Sequence, residues 1–247
     1  VRAITASLQL IVKRPFRSAY PFSSLRTNMS VSAPSNKRID GTALAAYVSF
    51  TNKSSIRASV ADSISIIKQA QPGFKPTLCI IQVGEQSASS TYIRMKRQAA
   101  QQCGIETRHI QLPANVDEQA IRAEVRALNN DPTVDGILVQ LPLGDHIDSD
   151  AERRVTKEVA ASKDVDGFHT LNIGLLSSKA CNPHFKPCTP AGVIRLLESV
   201  GLSDLSGLHA VVMGRSDIVG NPVATMLRAA HCTVTQVHSR SKDVQNI

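Results

Sequence analysis

The sequence predicts an α/β protein made of two parallel-sheet units, the second of them incomplete. Three observations lead there. From residue 41 onward, short apolar runs alternate with longer segments of helical periodicity, and parallel strands require such crossover connections. The strand-like runs are continuously apolar, the pattern of strands covered by helices on both faces. After Thr189 a fresh strand–helix–strand pattern of about 30 residues begins and then stops at Ile247.

The elements follow in order. Gly41 to Lys68 repeats apolar residues (Leu44, Tyr47, Val48, Ile56, Val60, Ile64, Ile67) at helical spacing and reads as one or two helices ending at Gln71-Pro72-Gly73. Thr77 to Gly84, "TLCIIQVG", is a buried strand, and Ser87 to Gln102 is a helix that Gly104 stops. Ile105 to Leu112 is a second strand. Asp117 caps a helix running to Leu128, and Val134 to Leu141 is a third strand. In "TPAGVIRLLESVG", Thr189 is placed as N-cap with Pro190 at the first helical position. "HAVVMG" and "CTVTQVHSR" then flank a loop and helix, the opening βαβ of a dinucleotide-binding fold.

Composition narrows the function. The 247 residues are 42% apolar, and no stretch reaches the about 18 to 20 unbroken apolar residues of a membrane span. The net charge of +8 invites a nucleic-acid reading, but seven bases precede the first acid, Asp40, leaving 21 bases against 20 acids in the body. With aromatics at 4% and no Trp, stacking platforms are scarce too, so neither nucleic acid nor membrane is an expected partner. Residues 1–39, acid-free and rich in Arg and Ser, with Ile4, Leu8, Leu10, Ile11 and Val12 beside Lys13 and Arg14, read as a disordered mitochondrial transit peptide. Met29 is a candidate internal start that would yield a cytosolic form. Five cysteines without a CxxC pair fit a reducing compartment and no metal site, with Cys79 and Cys232 inside apolar runs as core residues.

Four segments place polar groups at the carboxyl ends of expected strands, where α/β sheets bind ligands. In "GEQSASSTYIRMK", Tyr92 and Lys96 lie four apart on one helix face. Either Tyr92 is core and Lys96 solvated, or a partly desolvated lysine is poised to exchange a proton. In "DGILVQLPLG", Gln140 interrupts an apolar strand end between Val139 and Leu141. A buried amide must be hydrogen-bonded, to a loop or to a catalytic group or ligand. In "KDVDGFH", Asp164 and Asp166 precede Gly167, first of all a turn signal. Gly214-Arg215-Ser216-Asp217-Ile218-Val219-Gly220 joins strand to helix, where glycines admit a pyrophosphate to free backbone N–H groups, although the spacing is not G-x-G-x-x-G. Ser239 and Arg240 stand where an acidic residue would favour NAD. They suit a 2′-phosphate, hence NADP, with a surface arginine as the alternative.

In this order, Tyr92-Ile-Arg-Met-Lys96, Val139-Gln-Leu-Pro142, Lys163-Asp-Val-Asp-Gly167, Pro187-Cys-Thr-Pro-Ala-Gly192 and Val212-Met-Gly-Arg-Ser-Asp-Ile-Val-Gly-Asn-Pro222 closely resemble the bifunctional methylenetetrahydrofolate dehydrogenase/cyclohydrolase family, also found as the N-terminal part of C1-tetrahydrofolate synthase. The YxxxK of short-chain dehydrogenases follows an N-terminal nucleotide fold, whereas here the nucleotide segment lies far downstream. The resemblance implies an N-terminal parallel-sheet α/β catalytic domain that binds folate (40–188), followed by an incomplete Rossmann NAD(P)-binding domain (189–247), C-terminally truncated with respect to the family. It implies oxidation of 5,10-methylenetetrahydrofolate to the methenyl form with NADP, NAD being possible, and hydrolysis to 10-formyltetrahydrofolate in the one-carbon metabolism that feeds purine synthesis.

By the same resemblance Lys96 is catalytic, Gln140 hydrogen-bonds it, Tyr92 packs on the folate ring, Val139 and Leu141 flank the substrate and Asp166 grips the pterin. Gly214, Arg215 and Ser216 match the phosphate loop, and Ser239 with Arg240 the 2′-phosphate region. Cys188 falls in the linker motif, either as a packing or as a cofactor-adjacent residue. The family implies tetrahydrofolate one-carbon derivatives as small-molecule partners and a homodimer when complete. The second reading is a truncated, non-catalytic folate-binding or partner-binding product. A two-stranded sheet in the second unit would leave a strand edge uncovered.

Overall fold

The computed structural model describes residues 10–13, 41–178 and 181–246, with side chains from Ile56 onward. Most of the leader and Met29 lie outside them. The elements are β1 (Leu10–Lys13), α1 (Gly41–Ala70), β2 (Thr77–Val83), α2 (Ser87–Gln102), β3 (Glu106–Leu112), α3 (Glu118–Asn130), β4 (Gly136–Val139), α4 (Ser149–Glu158), α5 (Thr170–Ser177), α6 (Cys188–Ser199), β5 (His209–Met213), α7 (Gly220–Ala229) and β6 (Thr233–Val237). None of the described helices is long and apolar enough to cross a membrane.

The first sheet has the order β3-β2-β4 and is parallel throughout, with Ile80 opposite both His109 and Leu138. Because side chains alternate along each strand, Cys79, Ile81 and Val83 of β2 face one side with Ile137 and Val139 of β4. There they pack on Ile121, Val125 and Leu128 of α3 and on Val155 of α4, forming the main core. The opposite face carries a smaller cluster of Ile80, Leu138 and Ile93, the last from α2. The sheet thus seats α2 over the carboxyl ends of β2 and β4. Two arginines of α3, Arg122 and Arg126, share Glu158, and Arg154 pairs with Glu118, so α4 is also clasped to α3 electrostatically.

The second sheet has the order β1-β5-β6. β5 and β6 are parallel with α7 between them in sequence, and Ala210, Val212, Val223, Ala224 and Leu227 form their core with Leu197 of α6.

Several expectations are corrected. Leu10–Lys13, placed in a disordered leader, pair antiparallel with β5 in the register Leu10 to Val212, so the edge expected to be open on β5 is occupied. The segment LIVK has the strand propensity to do so. α1 is one helix, and α4 and α5 are helices in a stretch that the sequence pattern leaves unassigned. α6 begins at Cys188, with Pro187 rather than Thr189 at the N-cap, and the Pro187 carbonyl accepts the Ala191 N–H. The Asp117 cap stands as expected, its carboxylate accepting the Ala120 N–H at 2.7 Å.

Ile81 is fully buried on the central strand. Ile81→Ala removes its packing and leaves a cavity between β2 and α3, so urea denaturation should show a loss of about 2 to 5 kcal/mol.

Candidate active site

The carboxyl end of β4 gathers the first group of polar residues. Gln140 extends the strand, its N–H donating to the Ile81 carbonyl at 2.9 Å. Its side-chain amide donates to the Leu141 carbonyl at 2.8 Å, which points Oε1 toward α2. The Lys96 ammonium donates to that Oε1 at 3.1 Å. Of the two readings left open for Gln140, the structure therefore joins them: the amide ties down its own loop and holds Lys96. Tyr92, one turn earlier on α2, is 60% exposed and is not a core residue. Val139 is buried in the main core, whereas Leu141 is half-buried against it.

The second group sits in the turn after α4. Lys163 donates to the carbonyls of Leu128, Asn129 and Asp131, satisfying the free carbonyl end of α3 and pinning the start of the turn. Asp164 is 3% exposed, and its Oδ2 accepts the His169 N–H at 2.8 Å and the Asn172 amide at 2.9 Å. Gly167 has φ +71°, and a Cβ there would lie 2.8 Å from the Pro187 nitrogen. Only glycine admits that backbone approach. The turn thus brings Asp166 and Cys188 together, with the Cys188 thiol donating weakly to the Val165 carbonyl at 3.6 Å.

Asp166 is half-buried beside Lys96 and Asp164. Burial pushes its pKa up to about 6. Lys96 opposes that rise, and the Asp164 carboxylate reinforces it. The Cys188 thiol is likewise held up, by desolvation and by Asp166, although the residue as a whole is exposed. Lys96, Gln140, Asp166 and Cys188 therefore form one cluster that combines a proton-exchanging cation, an amide that directs it and a carboxylate that titrates near neutrality.

The remaining expected residues lie at the carboxyl ends of β5 and β6. Gly214 has φ +122°, donates to the Val237 carbonyl at 2.8 Å and has open space where a Cβ would stand. Gly220 cannot carry a side chain, since a Cβ would meet the Gly214 oxygen at 2.5 Å. Ser216 accepts the N–H groups of Gly220 and Val219 at 3.1 and 3.3 Å, so its hydroxyl caps α7. Arg215, Ser239 and Arg240 are exposed. Sequence reasoning missed Lys163 and Asn172. Asn172 carries no motif signal, and Lys163, although inside a quoted motif, is recognisable as a cap only once α3 is placed.

The raised Asp166 pKa carries a stability consequence. Its folded value lies above the about 3.9 of an unfolded aspartate, so stability is lost as pH rises between the two. Asp166→Asn should therefore melt higher than the parent chain at pH 7, with the difference vanishing below about pH 4. Calorimetry at both pH values checks this, and a pH-independent difference would contradict it.

Comparison with known proteins agrees with this geometry. The family described as tetrahydrofolate dehydrogenase/cyclohydrolase, catalytic domain, matches residues 39–166, and its NAD(P)-binding domain matches residues 187–247. The cytoplasmic C-1-tetrahydrofolate synthase of Saccharomyces cerevisiae is 47% identical over 188 residues, covering 76% of this chain and 20% of that protein. Bifunctional protein FolD 3 of Ectopseudomonas mendocina is 45% identical over 219 residues, covering 89% of this chain and 66% of the relative. The crystal structure of Trypanosoma brucei methylenetetrahydrofolate dehydrogenase-cyclohydrolase (FolD), complexed with NADP cofactor and inhibitor, superposes with a TM-score of 0.71 at 36% identity, covering 76% of this chain and 62% of that one. The chain thus spans a fifth of the synthase and about two thirds of the bifunctional relatives. With both domain patterns matched in order and the Lys96–Gln140 contact in place, the chain belongs to the tetrahydrofolate dehydrogenase/cyclohydrolase family.

Proposed function

We propose that this chain carries the active site for NADP-dependent oxidation of 5,10-methylenetetrahydrofolate and for hydrolysis of the methenyl product to 10-formyltetrahydrofolate. The observation that carries the reading is the 3.1 Å contact between Lys96 Nζ and Gln140 Oε1 beside Asp166. In this reading residues 40–188 bind folate and residues 189–247 bind the nucleotide. Family membership and the NADP named for the trypanosomal structure support the cofactor.

The residues present fit a dinucleotide. Gly214, with open space on its Cβ side, and the exposed Arg215 would hold the diphosphate. Ser216, used as the cap of α7, would orient that helix end rather than supply its hydroxyl. Ser239 and Arg240 would receive a 2′-phosphate. The oxidised nicotinamide, when bound, supplies the hydride acceptor. What the chain itself contributes is alignment, since hydride transfer needs donor and acceptor carbons about 3 to 3.5 Å apart.

Tyr92, exposed on α2 one turn before Lys96, offers a face for the folate ring, and Val139 and Leu141 border it. Asp166, ionised as pH rises past about 6, accepts N–H groups of the pterin. In the hydrolytic step water adds to the cationic methenyl carbon and loses its first proton to Lys96 in its amine form. The hydroxyl of the adduct then gives up its proton as the C=O forms, the ring nitrogen gains one as its bond to that carbon breaks, and one proton is released overall. Gln140 fixes the direction of the Lys96 N–H bonds throughout. Since Lys96 also holds down the pKa of Asp166, its removal weakens folate binding near neutral pH as well as hydrolysis.

The direct test is an absorbance assay of methenyltetrahydrofolate formation on the full chain, with NADP and then NAD. Turnover with a preference for NADP is the expected result. Folate binding without turnover would favour the non-catalytic reading instead. Lys96→Met should abolish hydrolysis while dehydrogenation persists, because only hydrolysis requires the shuttled proton. Equal loss of both would assign Lys96 to binding alone.

The acid-free, Arg- and Ser-rich N-terminal segment supports import into the mitochondrial matrix, with a cytosolic form from Met29. Relatives include mitochondrial and cytoplasmic synthases. A single cytosolic species on cell fractionation would contradict the mitochondrial assignment. A homodimer is part of the same proposal.

A further inference from the structure

Asn172 is fully buried on α5, and every polar group of its side chain is used. Its amide nitrogen donates to the Ala161 carbonyl and to Asp164 Oδ2, both at 2.9 Å, and its oxygen accepts the His184 N–H at 3.1 Å. One side chain therefore joins the segment just after α4, the Asp164 turn and the linker that leads to α6. Among the described residues Asp164 in turn has only neutral N–H donors as its hydrogen-bond partners and forms no ion pair, although it is buried. A carboxylate buried on such terms keeps its negative charge largely unscreened toward its neighbours. The neighbour that matters is Asp166, two residues on. The two line one small cavity, whose other walls include Ile137, Val139 and Val159, which offer no counter-charge.

We infer that the buried Asp164–Asn172 pair is a positioning device for Asp166, with Asn172 locking the turn to the linker and Asp164 supplying a fixed negative charge that keeps Asp166 proton-accepting. The inference rests on the proposed role of Asp166 in gripping the pterin, and Asp164 and Asn172 act through it without touching substrate.

The other charged and titratable groups around Asp166 are accounted for. Lys96, from α2, opposes the effect of Asp164. Cys188, from α6, is held protonated and contributes no charge. The His169 ring accepts the Leu171 N–H through Nδ1 at 3.1 Å. Asp164 is thus the negative group adjoining Asp166 among the described residues, and the neutral clamp holds it there. The functional consequence is that Asp166 changes protonation near neutral pH, so pterin binding gains strength over that range instead of being saturated far below it.

The test uses the full chain labelled with 13C at aspartate carboxyl carbons, titrated by NMR from about pH 4 to pH 8. The Asp166 signal is assigned by its loss in Asp166→Asn. In the parent chain its midpoint should lie at about 6. In Asp164→Asn the amide oxygen can still accept from His169 and Asn172 while the charge is gone. There the midpoint should fall below that of the parent chain, while burial still holds it above the ordinary aspartate value of about 4, and the pH of half-maximal folate binding should fall with it. Asn172→Ala, which releases the turn, should weaken folate binding by on the order of tenfold, the loss of about one hydrogen bond's worth of positioning.

An Asp166 midpoint unmoved in a folded Asp164→Asn protein would overturn the inference, as would a midpoint near 4 in the parent chain. Should the parent chain bind no folate, the proposed function fails, while the NMR midpoints still decide whether Asp164 governs Asp166.

Discussion

The approach of Gly167 to the backbone of residues 185–187 is the contact on which the rest of the site depends. A Cβ at Gly167 would lie 2.8 Å from Pro187 N and 2.9 Å from Lys186 C, so the two segments touch with no side chain between them. This contact places Pro187 at the start of α6 and Cys188 beside Asp166. It also joins the turn that follows the first sheet to the helix that packs on the second. Around it the chain spends unusually many polar groups on fastening: Lys163 closes the end of α3, and Asn172 ties the turn to both flanking segments.

The electrostatics follow from that fastening. Two carboxylates two residues apart in a poorly solvated turn would repel each other enough to drive one of them neutral if nothing opposed it. Here Asp164 is satisfied by N–H donors and Lys96 lies near Asp166, so burial, with the Asp164 charge adding to it, appears as an Asp166 pKa of about 6. Gln140 is the bridge between the two halves of the site. Its backbone continues the hydrogen bonding of β4 to β2, and its side chain holds the lysine of α2, so the geometry of a buried sheet is transmitted to a proton-exchanging group.

Much of this was legible in the sequence, and the limits have physical causes. The strands of the first sheet announced themselves because a parallel strand covered on both faces must be apolar at every position, as "TLCIIQV" is. Gln140 was identifiable because it abuts such a run at its carboxyl end, Tyr92 and Lys96 because they lie four apart on one face of the helix that follows another, and Asp166 through its turn motif. Asn172 was not. On α5 it sits among residues of no amphipathic pattern, and its meaning comes from three partners distant in sequence. The start of α6 was misplaced by two residues because Thr189-Pro190 carries the local signal of a helix start, whereas the Gly167 contact, a tertiary constraint, sets the boundary at Pro187. Ser216 was expected to face phosphate, yet it is engaged as the cap of α7, since a helix opening at Gly220 leaves its first N–H groups in need of an acceptor.

The central claim is that Tyr92, Lys96, Gln140 and Asp166 form a single folate-binding surface. With no tryptophan in the chain and three tyrosines, tyrosine emission reports on Tyr92 directly, using Tyr92→Phe to define its share. The most direct measurement is a fluorescence titration of the full chain with 5,10-methenyltetrahydrofolate at pH 7. Saturable quenching of the Tyr92 component, weakened in both Gln140→Ala and Asp166→Asn, is the result this account requires. Quenching unaffected by either substitution, or binding that leaves Tyr92 untouched, would mean that the folate site lies elsewhere.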